Sequence, residues 1–128
     1  MKNIIIEELD KFKTPISITI SENDSDIKVN IHSNYNVVGN IVLEKESENE
    51  YTIIDASIDD DFKGKGIYQK SLIKLIYLKP KIRINSVFRS ESAERSWTLM
   101  LKNLPTDIGF SKKRYPGEGT TLFTIYKK

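Results

Sequence analysis

The stretch that decides the fold is DASIDDDFKGKGIY, residues 55–68, and an amphipathic segment follows it directly. An apolar strand pattern leads into an acidic turn, and Gly64 and Gly66, flanked by Lys63 and Lys65, then open a helix. The first N–H groups of a helix have no intrahelical partner, and the helix dipole places partial positive charge at the same end. Glycines let the backbone approach a ligand closely. The junction therefore predicts a phosphate-binding turn.

Length and composition indicate a single soluble domain spanning residues 1–128. Of the 128 residues, 38% are hydrophobic and 30% are charged, which is enough apolar sequence for one core. There is no run of about 18 apolar residues and no signal-peptide pattern, so we expect no membrane span and a cytoplasmic location. The chain has no cysteine, and His32 is its only histidine. This composition excludes disulfides and thiolate sites and disfavours a multi-histidine metal site or a Ser-His-Asp triad, and we expect no metal.

Charge is unevenly distributed although the net charge is only +2. Residues 21–61 are rich in acids, whereas residues 63–83 carry lysines and an arginine with no acid among them. The basic stretch is either a solvated helix face or part of an anion site. Only Lys63 and Lys65 lie where a phosphate turn needs positive charge.

Hydrophobic periodicity predicts the order of the elements. Alternation with period two predicts an antiparallel meander, in whose last strand Thr52, Ile54, Ala56 and Ile58 share one face. Apolar residues at helical spacing predict two helices, the second of them capped by Ser90. The predicted strands are 16–20, 27–31, 37–43, 51–58, 82–88, a short one at 108–110 and 120–126, and the helices are 66–78 and 91–104. This order predicts an α+β, or mixed α/β, domain.

The order of elements and two motifs resemble the GNAT superfamily of acyl-CoA-dependent N-acetyltransferases over about residues 37–110. The family's cofactor motif is Arg/Gln-x-x-Gly-x-Gly/Ala, and residues 63–68, Lys-Gly-Lys-Gly-Ile-Tyr, occupy that frame. A second motif, Asn-x-x-Ala-x-x-x-Tyr, is matched in spacing by residues 90–97, with Ala93 in place. The resemblance implies a mixed, mainly antiparallel central sheet with two main helices.

The chain departs from the family pattern in three places. Residues 1–36 read as strands and turns, so the family's N-terminal helices are reduced or absent. The acceptor cleft is then either open or closed by a partner subunit, as in a homodimer. Trp97 occupies the position where many members have a tyrosine that protonates the departing thiolate. Tyr68 occupies the position of a small residue in the phosphate turn.

The resemblance implies acetyl-CoA as the cofactor and assigns roles to residues. The backbone from about Phe62 to Tyr68 would hold the pyrophosphate, and the strand edge near Ser57 and Ile58 would pair with the pantetheine arm. The implied cofactor-binding set is Ser57, Ile58, Lys63, Gly64, Lys65, Gly66, Ile67, Tyr68, Ser90, Ala93 and Trp97. Asp55 is the candidate base if burial raises its pKa; otherwise it is a solvated carboxylate. Tyr115 is the candidate acid.

Three functions compete at this point. The first is an N-acetyltransferase that moves an acetyl group directly from acetyl-CoA to a primary amine of a small molecule or a protein. The second is a catalytically inactive GNAT-like domain that binds CoA or a protein. The third, a nucleic-acid-binding module, is disfavoured because the net charge is small and no aromatic–basic platform is visible.

Overall fold

The description of the computed structural model covers the backbone of residues 3–9, 15–87, 91–115, 117 and 120–128, and their side chains except those of 3–9, 92, 93 and 120. Within these residues, eight strands, two α-helices and one 3₁₀ turn follow one another. They are β1 (Asn3–Leu9), β2 (Ile16–Glu22), β3 (Asp26–Ser33), β4 (Asn36–Ser47), β5 (Glu50–Ile58), the 3₁₀ turn (Asp60–Phe62), α1 (Ile67–Leu78), β6 (Arg83–Ser86), α2 (Glu91–Lys102), β7 (Ile108–Tyr115) and β8 (Thr120–Lys127).

All the strands belong to one sheet in the order β1-β2-β3-β4-β5-β6-β8-β7. Every neighbouring pair is antiparallel except β5 and β6, which run parallel. Parallel neighbours need a crossover connection, and α1 supplies it. The predicted class, a mixed and mainly antiparallel sheet with two main helices, is confirmed.

The core lies between the two helices and one face of the sheet. Alternate residues of β2 and β3 are buried, from Ile16 to Ile20 and from Ile27 to Ile31. They join one hydrophobic cluster with the inner sides of α1 and α2, including Leu72, Leu75 and Trp97. Ile67 and Ile76 extend the buried side of α1. This helical spacing, i to i+4 and beyond, is the one that the sequence predicted.

The opposite face of the sheet, called here the open face, is polar. Among the described residues no helix packs on it. Its side chains bond to one another across strands: Thr19 Oγ1 and His32 Nε2 lie 2.8 Å apart. The Ser57 hydroxyl donates to Asn40 Oδ1 at 3.0 Å. Cross-strand pairs of this kind replace a second apolar core on that side.

The N-terminal part of the chain explains why one face is open. β1 pairs with β2 over its whole length, and among the described residues no α-helix precedes α1. For this part of the chain, the expectation of reduced or absent N-terminal helices is confirmed. No strand was predicted before residue 16, so β1 is an addition to the expected sheet, and β7 is longer than the predicted 108–110. No helix among the described residues is long and apolar enough to cross a membrane.

Candidate functional site

A β-bulge interrupts β5 in its middle. Leu43 pairs with Ile53 and Val42 with Asp55, so Ile54 is an extra residue with no partner on β4. Its side chain is 56% exposed. Such an insertion bends a strand and shifts the phase of its side chains.

The predicted facing of β5 is wrong because of this bulge. In a regular strand, residues 51 and 58 would lie on opposite faces, because side chains alternate. Here Tyr51, before the bulge, is buried, and Ile58, after the bulge, packs against the same core. Thr52, Ile54, Ala56 and Ile58 therefore do not share a face. The bulge instead turns Ile54 toward the open face.

Beyond the bulge, β5 and β6 part. Their parallel pairing covers only Glu50 to Thr52 against Arg83 to Asn85. Within the described part of the chain, no strand pairs with the outer edge of residues 53–58. The gap beside this edge is called here the slot. Backbone N–H and C=O groups along an unpaired edge can bind an extended ligand that carries amides.

A buried polar network closes the narrow end of the slot. The Asn85 side-chain amide donates to Glu50 Oε2 at 2.8 Å, and the Thr124 hydroxyl donates to Asn85 Oδ1 at 2.6 Å. Asn85 and Thr124 are both buried. The network connects β5, β6 and β8 next to the last paired residues of β5 and β6. It thus holds these two strands together at the point beyond which they separate.

The wide end of the slot leads to the glycine turn. Gly64 and Gly66 have φ values of 75° and 76°, in the left-handed region that favours glycine. A Cβ at either position would meet nothing within 4 Å, so the space in front of the turn is open. The first intrahelical bond of α1 runs from the Lys70 N–H to the Gly66 carbonyl at 3.0 Å. The preceding amides therefore point out of the helix end, as an anion site requires.

The amides just before the glycines are already used. The Phe62 N–H donates to the Asp59 carbonyl at 2.9 Å, and the Lys63 N–H donates to the Asp60 carbonyl at 3.3 Å. These two bonds form the 3₁₀ turn. The stretch that could donate to a ligand thus begins after Lys63, later than the sequence indicated.

Both lysines of the turn stand in solvent and are weakly held. Lys63 Nζ lies 3.0 Å from Asp60 Oδ1, with side chains 61% and 93% exposed. An exposed ion pair contributes little stability, so a phosphate can replace the carboxylate as the partner of Lys63. Lys65 Nζ lies 6.0 Å from the centre of the Phe62 ring.

Trp97 belongs to the core and not to an open surface. Its side chain is fully buried, and its ring lies 5.9 Å from that of Phe123. Its Nε1–H donates to the Tyr68 hydroxyl at 3.3 Å. Trp97 was predicted to contact the cofactor, but its side chain has no exposed surface with which to do so. The indole instead connects α2 to the first turn of α1.

The structure does not bring the two predicted catalytic residues together. Asp55 is exposed on the open face, so it is not the buried carboxylate that its predicted role as the base requires. Tyr115 ends β7, three strands away from β5, which corresponds to roughly 14 Å. Ser90 lies outside the described residues, and so does the side chain of Ala93.

A cavity that no pattern in the sequence predicted lies on the open face, close to the bulge. It has a volume of about 490 Å³, and Ile54 contributes to its lining. Carboxylates dominate the rest, with Asp26 Oδ1 buried and without a hydrogen-bond partner. The acidic residues of this acidic cavity are Asp24, Asp26, Glu44, Glu46 and Glu48. No three histidine, aspartate or glutamate residues of the described part could together hold a metal ion.

Comparisons with known proteins bear on the fold. No protein-family model matches the sequence, and no curated protein matches it. Solved structures do match. An acetoin utilization protein from Exiguobacterium sibiricum superposes with a TM-score of 0.62 at 11% identity, covering 97% of this chain and 86% of its own.

Two acetyltransferases match over similar lengths. The ribosomal-protein-S18-alanine N-acetyltransferase from Escherichia coli has a TM-score of 0.57 at 13% identity, covering 83% of this chain and 71% of its own. A GNAT family acetyltransferase from Elizabethkingia anophelis with acetyl-CoA bound has a TM-score of 0.53 at 14% identity, covering 98% and 99%. The chain thus has the fold of these GNAT-family acetyltransferase structures.

Proposed function

We propose that the protein is an N-acetyltransferase that moves an acetyl group from acetyl-CoA directly to a primary amine. One observation carries the proposal: the unpaired edge of residues 53–58 runs straight into the glycine turn and the N-terminus of α1. A long ligand with amides at one end and phosphates at the other could bind along this path. Its amides would lie at the β5 edge and its phosphates at the glycine turn.

The residues present fit such a ligand. Ile58 offers backbone groups at the bare edge for the pantetheine amides, and Ser57, whose own backbone faces β4, lies next to it. For the pyrophosphate, Lys63 and Lys65 offer positive charge. The backbone from Gly64 through Gly66 and Ile67 to Tyr68 offers outward amides and open space. Acetyl-CoA, when bound, supplies an acyl carbon that is already activated as a thioester.

The protein's part in the reaction is mainly to position and to stabilise charge. A backbone N–H on the β5 edge near Ser57 donates to the acyl oxygen as that oxygen gains charge. Bound acetyl-CoA would supply its acyl carbon to the amine nitrogen, and the carbon–sulfur bond that breaks would release CoA as the thiol. Asp55, next to the bulge on the open face, takes the proton that the amine must lose. Tyr115, the acid predicted from the sequence, is at the same end of the sheet as Ile58 but three strands away from β5, so the leaving sulfur takes its proton from solvent.

The open face is the side from which the acceptor would approach. The acidic cavity beside Ile54 favours a cation there, and a primary amine is protonated before it reacts. The acceptor is therefore an amine of a small molecule or a protein that can reach the open face.

A second function has an observation of its own. A GNAT-like domain that binds CoA or a protein without transferring an acyl group agrees with the exposure of Asp55 and the burial of Trp97. The first function and the CoA-binding form of the second need the glycine turn, but only the first needs turnover.

Calorimetric titration with acetyl-CoA and with CoA tests the proposal. We expect micromolar binding, and we expect Gly66→Glu to abolish it because a side chain and a negative charge enter the phosphate space. Gly117→Glu is the matched control, since Gly117 is exposed and a Cβ there also meets nothing within 4 Å. Thiol release with a panel of amines then separates the two functions, because binding with no turnover supports the second. No binding at millimolar acetyl-CoA overturns the first function and leaves only the protein-binding form of the second.

A further inference from the structure

β7 is an edge strand with a long unpaired side. It spans Ile108–Tyr115, pairs with β8 along its whole length, and stands last in the sheet. No described residue pairs with its outer side. Phe110 to Arg114 are all exposed. Such an edge presents a row of backbone donors and acceptors that another extended chain can complete.

The same edge is strongly basic. Lys112, Lys113 and Arg114 follow one another and are exposed. Lys127, at the end of β8, is paired with Asp107, and no described side chain from residue 108 onward is acidic. The acids of the chain are concentrated in β2 to β5 and the turns around them. The far edge of the sheet is thus a separate positive surface.

The cations lie on both faces of the strand. Lys112 Nζ is 5.6 Å from the centre of the Phe123 ring, on the face that the helices cover. Lys113 Nζ is 5.3 Å from the ring of its second neighbour, Tyr115, on the open face. Phe110, 48% exposed, lies on the same face as Lys112 and Arg114, because side chains alternate along a strand.

We propose that the outer edge of β7 binds an extended acidic segment of a partner protein as an additional strand. The backbone of β7 requires a polypeptide, and the three cations require carboxylates. On the helix-covered face the segment would place an apolar side chain against Phe110 and acids against Lys112 and Arg114, so its pattern is apolar-x-acid-x-acid or the reverse.

A second copy of this chain does not fit the same edge. Two β7 strands paired about a two-fold axis would set the basic triplets close to each other, and like charges facing one another destabilise a strand pair. The lysines that prevent self-pairing are the groups that attract an acidic strand. The inference does not depend on the acetyltransferase proposal, since β6 and β8 lie between β7 and the slot.

The test uses a capped, fluorescein-labelled peptide, Glu-Thr-Glu-Thr-Val-Thr-Glu-Thr-Glu, which contains the pattern in both directions. At low ionic strength we expect a Kd on the order of 10–100 µM by anisotropy. The double variant Lys113→Glu/Arg114→Glu is expected to weaken binding at least about tenfold. The matched control is Lys28→Glu/Lys81→Glu, which makes the same charge change at exposed lysines outside β7 and should bind within about twofold of wild type.

Two comparison ligands separate a strand partner from a general polyanion. A peptide with alternate backbone amides N-methylated keeps its charge but cannot form the ladder, and it should bind at least about tenfold more weakly. Oligothymidylate of equal charge should compete poorly. In hydrogen exchange, the acidic peptide should slow amides of residues 108–115.

Several outcomes would overturn the proposal. These are equal binding of the N-methylated peptide, equal competition by oligothymidylate, unchanged exchange in β7 at saturating peptide, or no binding at millimolar peptide. Concentration-dependent self-association that the Lys113→Glu/Arg114→Glu variant abolishes would assign the edge to a second copy instead.

Discussion

At the scale of single residues, the hydrogen bond between Trp97 and Tyr68 is the most informative contact. It brings a fully buried indole to the hydroxyl of a residue in the first turn of α1, with the two atoms 3.3 Å apart. A buried donor without a partner costs more than the bond itself contributes. The position that departs from the family pattern is thus used to hold the helix that carries the glycine turn.

A double-mutant cycle measures this contact. We expect Trp97→Phe to cost about 1–3 kcal/mol, because volume is lost from the core, and Tyr68→Phe to cost about 1 kcal/mol. The coupling between the two changes should be about 0.5–1.5 kcal/mol, since each single variant already removes the bond. Urea unfolding of the four proteins gives the result, and additive effects would show that the bond contributes nothing.

The glycine turn and the two helices were predictable from residues alone. Two glycines close together, Gly64 and Gly66, indicate a turn with left-handed backbone conformation. The apolar residues of α1 recur at helical spacing. The burial of Trp97 was not predictable, because it depends on Phe123, a residue of a strand far along the chain. The exposure of Asp55 likewise follows from its place on the open face, which no helix of the described residues covers and which no local pattern reports.

At the scale of elements, β5 forms most of the candidate site. Its first residues pair with β6, its middle carries the bulge, and its last residues have a bare edge. The alternation of the sequence could not show the bulge, because Ile53 and Ile54 are both apolar and either phase looks regular. β1 was missed for a related reason: Ile4, Ile5 and Ile6 are consecutive, so the strand is recognised only by its pairing with β2.

The network at the narrow end of the slot is expected to stabilise this arrangement. Asn85→Ala would leave Glu50 and Thr124 without their shared partner in a buried position, at a cost of about 1–3 kcal/mol. Asn40→Ala removes an amide from the exposed pair with Ser57 and should cost less than about 0.5 kcal/mol. Urea unfolding of both variants tests the difference, and equal costs would show that burial of the network is unimportant.

At the scale of the whole molecule, one contact ties the end of the chain to the first helix. The Tyr77 hydroxyl, on α1, donates to Asp107 Oδ1 at 2.7 Å. Lys127 Nζ, at the end of β8, lies 3.7 Å from Asp107 Oδ2. The bond from Tyr77 is the main reason why the pKa of Asp107 is lowered from 3.8, and the same bond raises the pKa of Tyr77 above 10.0.

These two directions give the contact an effect on stability at both ends of the pH scale. The lowered pKa of Asp107 means that the unfolded chain binds its proton more readily, so the contribution is present above pH 3.8 and is lost as the pH falls below it. The raised pKa of Tyr77 means that the contribution is present below pH 10.0 and is lost as the pH rises above it.

The single variant Tyr77→Phe should therefore reduce the loss of stability on the acid side and on the alkaline side together. Tyr35→Phe, at a tyrosine that is fully exposed, should change neither side. Thermal unfolding across the pH range measures both, and a change confined to one side would show that the hydroxyl and the carboxylate do not act as one pair.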